Sequence, residues 1–97
     1  MITFLQVWEE SDINRGLRQD GCSIHPTKES LDNYVNRIYK SRNKKVPNTY
    51  TKIVGEPSRV IISDELIDAL YRNGNVLRLE SYELNNLLNL GKIILYA

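Results

Sequence analysis

Alternating and clustered apolar positions divide the chain into short elements. Ile2 to Trp8 (ITFLQVW) is dense in β-branched and aromatic residues and predicts a buried strand. In TKESLDNYVNRIYKSR the apolar residues Leu31, Tyr34, Val35 and Ile38 recur at i, i+3, i+4 and i+7, one face of a helix. Thr27 offers a capping hydroxyl and Glu29 an acid in the first turn, while Lys40 and Arg42 suit the other end. A polar, basic connection over 41–49, broken by Pro47, leads to Tyr50–Val54 and Arg59–Ile62. These read as two strands of a hairpin around Gly55-Glu-Pro-Ser58.

Ser63, followed by Asp64 and Glu65, starts a second helix with Leu66, Ile67 and Leu70 as its stripe and Gly74 as its stop. Asn75–Leu79 predicts a short strand. Ser81 is placed to cap a third helix carrying Leu84, Leu87 and Leu88, which Gly91 ends. Lys92–Tyr96 (KIILY) predicts the last strand. The order β-loop-α-β-β-α-β-α-β over one domain, 1–97, predicts an α+β fold, with about three helices packed on a mixed sheet of four to five strands. A last strand this apolar is either central or paired with a partner chain, because an uncovered apolar edge invites association. This reading suggests a homodimer.

Composition narrows the function classes. The 97 residues carry a formal net charge of +1. Duplex-binding proteins draw most of their affinity from neutralised phosphates and carry a clear positive excess, so wholesale duplex binding is disfavoured. A local anion site needs only local charge. No stretch is long and apolar enough to span a bilayer, and MITFLQVWEESD lacks the basic start of a secretory leader. One cysteine excludes an internal disulfide framework, and a cytoplasmic location is expected. The abundance of Asn, Ile, Lys and Tyr is typical of AT-rich coding sequence, and with the short length suggests an accessory protein of a phage or mobile element.

The segment ESDINRGLRQDGCSIHPT, residues 10–27, shows no apolar periodicity and holds the only cysteine and the only histidine. It reads as a loop from about Glu9 to Pro26, long enough to be either functional or folded on itself. It ends where the first helix begins, and unpaired N–H groups there favour anions. Ser23, His25, Thr27 and Lys28, with Arg15 and Arg18 folding back, would bind phosphate or carboxylate. Asp20 would orient an arginine or bond a sugar hydroxyl, and Trp8 and Tyr34 would wall a nucleobase.

Other chemistry is less well supplied. Ser23 and His25 share one side of an extended segment, yet side chains so spaced seldom form a nucleophile–base hydrogen bond. Cys22 and His25 are two potential ligands without a third, so no metal site is expected. No glycine fingerprint for a dinucleotide or a P-loop is present, and no cofactor is expected. The leading expectation is therefore a non-enzymatic binding protein that captures a nucleotide-like anion, of anti-defence or inhibitor type. The alternatives are an inhibitor that blocks a host protein and, with least support, a small phosphoesterase or nuclease using His25.

Overall fold

The computed structural model describes residues 2–12, 16–45 and 49–96; at 12, 17, 18, 40–45 and 49 only the backbone is described. The elements are β1 (Ile2–Asp12), β2 (Leu17–His25), α1 (Lys28–Lys45), β3 (Thr49–Ile62), α2 (Asp64–Arg72), β4 (Leu77–Glu80), α3 (Ser81–Asn89) and β5 (Ile93–Leu95). The strands form one antiparallel five-stranded sheet in the order β4-β2-β1-β3-β5. The fold class is the expected α+β domain.

Strand pleating assigns each side chain to a face. Leu5, Val7, Cys22, Ile24, Val60, Ile62, Leu77, Leu79 and Ile93 look toward α2 and α3 and form the main core with Leu66, Ile67, Leu70, Leu84, Leu87 and Leu88. Trp8, Ser23 and His25 lie on the opposite face, under α1, whose Leu31 is buried and whose Tyr34 and Tyr39 meet the Trp8 ring edge-on.

Two segments differ from their expected form. Residues 17–25, expected in a loop, are a strand paired with β1 from Asp12↔Leu17 to Phe4↔His25. Alternation is present there: Cys22 and Ile24 face the apolar core, while Ser23 and His25 face α1. The polar pair disguises the period, because its buried surroundings are hydrogen-bonded rather than apolar. Gly21 also belongs to a strand: a Cβ there would lie 2.8 Å from the Leu79 carbonyl oxygen, so the close approach of β2 and β4 requires glycine.

The second difference is the expected hairpin at 50–62, which is one continuous strand. Its register against β1 jumps from Leu5↔Ser58 to Val7↔Val54, so the residues between 54 and 58 bulge opposite Gln6. Gly55 takes φ +74°, the left-handed conformation that glycine adopts without strain. The buried Gln6 amide donates to the carbonyls of Val7, Val54 and Gly55 and fills the gap. A Gly-x-Pro signal thus marks a bulge here, not a reversal.

The helices follow the expected signals with local changes. Thr27 caps α1, its Oγ1 accepting from Ser30 N–H at 3.0 Å. Helix α1 runs on to Lys45, so part of the expected polar connection is helical; Pro47 lies outside the described residues. At α3 the cap is Glu80, in a reciprocal capping box with Glu83. Ser81 instead donates from Oγ to the Asp20 carbonyl at 2.8 Å. Strand β5 lies at the sheet edge rather than its centre.

A candidate anion-binding cleft between helix α1 and strand β4

The α1 face of the sheet carries a buried polar chain. Trp8 Nε1–H donates to Ser23 Oγ at 2.7 Å, and Ser23 Oγ is 2.8 Å from His25 Nε2. All three side chains are fully buried. The indole N–H can only donate, so Ser23 Oγ accepts from it. With the hydroxyl proton directed to Nε2, the neutral ring carries its own proton on Nδ1, on the side of the Asn75 carbonyl. Nδ1 is buried and faces the Asn75 backbone carbonyl without reaching full hydrogen-bond geometry. Burial, above all, holds the imidazole below its ordinary 6.5, at about 4; the Asn75 carbonyl opposes this, and the Arg78 and Arg37 guanidiniums add to it. At neutral pH the ring is uncharged and offers Nδ1–H as a donor.

His25 contributes to a cleft of about 350 Å³ whose other lining residues are Ser30, Asn33, Tyr34, Arg37, Gly74, Asn75 and Val76. No acidic residue is among them. Helix α1 supplies one wall, and the turn entering β4 supplies the other. That turn is set by Gly74 and Asn75, both left-handed at φ +74° and +66°. Ser30 Oγ bonds the Asn75 carbonyl at 3.1 Å and ties the walls together. The Tyr34 ring packs 5.0 Å from His25, centre to centre, and the Arg37 guanidinium lies over the Tyr34 ring at 5.4 Å from its centre. Arg37 is exposed and makes no ion pair among the described residues. Arg78 stands over Trp8 at 5.9 Å and is paired with Glu10 at 2.7 Å.

No family model, no curated protein and no solved structure matches the chain. The reading of the cleft therefore rests on its geometry.

The residues expected to form one site are divided by the hairpin. His25 and Tyr34 line the cleft, and Ser23 and Trp8 stand behind His25 as its hydrogen-bonded support. Trp8 is buried against Tyr34, Tyr39 and Ser23, in a structural contact. Thr27 is occupied as the helix cap, and Lys28 pairs with Asp32 at 3.3 Å. Asp20 pairs with Glu9 on the opposite face of the sheet from His25 and lines a separate cleft of about 240 Å³ with Glu10, Gln19, Arg78, Glu80 and Glu83. Arg18 pairs with Ser11 along β2, seven residues from His25, which corresponds to roughly 24 Å along a strand. Its side chain, and all of Arg15, lie outside the described residues.

Sequence reasoning did not select Ser30, Asn33, Arg37, Asn75 or Val76. Arg37 had a usable signal: it lies three residues beyond Tyr34, on the next turn of the same helical side. The positions of Asn75 and Val76 follow from strand order, which sequence does not carry. The Ser23–His25 bond expected to be rare is present at 2.8 Å. It does not make an open nucleophile, because Ser23 is sealed from solvent and already accepts from Trp8. No group of three or more His, Cys, Asp or Glu side chains among the described residues is arranged to hold a metal.

Proposed function

We propose that the protein binds an anionic small ligand without transforming it, in the cleft between α1 and the start of β4. The observation that carries this reading is a cleft lined by the Arg37 guanidinium and by no carboxylate, with the poorly satisfied His25 Nδ1 among its lining. A buried donor left wholly without an acceptor costs about 1–3 kcal/mol, and an incoming oxygen better placed than the Asn75 carbonyl would recover part of that cost. Arg37 would supply charge and a forked donor, Asn33 a further polar contact, and Tyr34 an aromatic edge. A phosphate or carboxylate meets these demands, and a nucleotide is the ligand class this reading favours. Capture of a signalling nucleotide would suit an accessory protein of a phage or mobile element in an anti-defence role.

The test is a thermal-shift screen against mono-, di- and cyclic nucleotides, with inorganic phosphate alongside. A ligand at about 100 times its Kd adds about 2.7 kcal/mol, which at this chain length raises Tm by roughly 10–20 °C. Arg37→Ala should weaken binding by about 10–100-fold, the loss of one charged hydrogen bond. A panel without any shift, or a shift that Arg37→Ala leaves intact, refutes the assignment.

A further inference from the structure

The open edge of the sheet has a register that matches itself. Antiparallel strands alternate residues whose N–H and C=O face the neighbour with residues whose groups face away. Ser63 N–H bonds the Lys92 carbonyl at 2.9 Å and Tyr96 N–H bonds the Arg59 carbonyl at 2.9 Å. Residues 92, 94 and 96 therefore turn their backbone groups to β3. Ile93 and Leu95 turn theirs to the open side.

That edge lacks the usual protection against pairing. Strand β5 contains no charge, proline or bulge, only Ile93-Ile94-Leu95. Its side chains continue an apolar row across the sheet. Ile2 pairs with Ile61 and Ile61 with Ile94, on the α1 face beyond the reach of the helix. The three are 41%, 37% and 52% exposed. On the opposite face Leu95 is 64% exposed, and Leu90, at the end of α3 leading into β5, is 69% exposed.

We infer that this edge pairs with the same edge of a second copy, β5 against β5, about a two-fold axis through Ile94. Of the possible registers, the one with Ile94 opposite itself pairs both outward-facing residues of this short strand. With Ile94 opposite its own copy, each Ile93 meets the other protomer's Leu95, and these are the residues whose backbone groups face outward. Both pairs exchange N–H···O=C bonds, and the two sheets become one. The isoleucine row then runs from one Ile2 to the other without a charged interruption. Leu95 passes over the other copy's Ile93 on the opposite face. An isologous interface needs such a self-complementary patch. An unlike strand could use the open backbone groups, but nothing would require it to place an apolar residue opposite Ile94.

Engineered cysteines test the register. In a non-hydrogen-bonded antiparallel pair the Cα atoms are about 4.5 Å apart, within the roughly 4.4–6.8 Å range a disulfide spans. Ile94→Cys should therefore cross-link to a covalent dimer under mild oxidation, while Leu95→Cys, opposite Ile93 rather than itself, should not. The native Cys22 is buried and does not interfere. Light scattering of the unaltered protein should give twice the 11.3 kDa chain mass, and Ile94→Lys should return a folded monomer, checked by circular dichroism. A monomeric unaltered protein at NMR concentrations overturns the inference and leaves the edge for an unlike strand. Cross-linking that favours Leu95→Cys, or Ile94→Lys that remains a dimer, overturns it equally.

Discussion

Removing the hydroxyl of Ser23 should be among the most damaging single-atom changes in this protein. Ser23 Oγ is the sole partner of Trp8 Nε1–H among the described residues, and it bonds His25 Nε2. Ser23→Ala leaves both buried atoms without this partner. Each orphaned group costs about 1–3 kcal/mol, so the expected loss is about 2–6 kcal/mol. That is a large part of the stability of a domain this size, commonly about 5–15 kcal/mol. It corresponds to a fall in Tm of roughly 10–30 °C. Urea unfolding followed by the fluorescence of Trp8, the only tryptophan, measures it directly. The control is the same substitution at Ser63, whose Oγ is buried without a partner and makes no cap bond. Ser63→Ala should be neutral or slightly stabilising. Trp8→Phe in the Ser23→Ala background, followed by circular dichroism because it removes the only tryptophan, should cost less than in the parent, since the donor it removes is already orphaned. Equal effects of the two serine substitutions, or a Ser23→Ala loss below about 1 kcal/mol, would refute the hydrogen-bonded chain.

Three further outcomes follow from burial and close packing. The native His25 pKa of about 4 lies below the ordinary 6.5, so the unfolded chain binds the extra proton first and stability falls as pH drops from 6.5 toward 4. The loss reaches roughly 3 kcal/mol and should be diminished in His25→Gln, measured by urea midpoints across that range. Burial pushes the Cys22 thiol up to about 11, against a smaller lowering by Arg78. The thiol should therefore resist alkylation in the native protein at pH 8 and react only as fast as the chain unfolds. Gly21→Ala forces β4 away from β2 and should destabilise by about 1–3 kcal/mol, seen as a lowered urea midpoint without a change in slope.

Much of the fold is legible in the sequence because its helices carry complete start and stop signals. The Leu31–Ile38 stripe and the Thr27 cap locate α1, and Asp64–Glu65 with Gly74 bound α2. Strand β2 is harder to read because two of its inward residues are Ser23 and His25, which satisfy one another rather than pack as apolar side chains. The bulge at Gly55 resembles a turn because both need left-handed backbone; only the register with Gln6 separates them. For the site, His25 and Tyr34, both singled out from the sequence, line one cleft. Its second wall comes from residues about 50 positions later, brought beside β2 by the strand order. Thr27 and Lys28 drew attention for donors that serve the helix itself.

The most direct measurement is a nitrogen-15 NMR spectrum of the His25 ring at neutral pH, recorded without ligand and then with the nucleotide and phosphate panel. The structure predicts a neutral ring protonated at Nδ1, with Nε2 as acceptor, and a displaced Nδ1 resonance when an anion binds, lost in Arg37→Ala. A ring protonated at Nε2, or an Nδ1 resonance that no anion moves, would contradict the account of the cleft as a binding site.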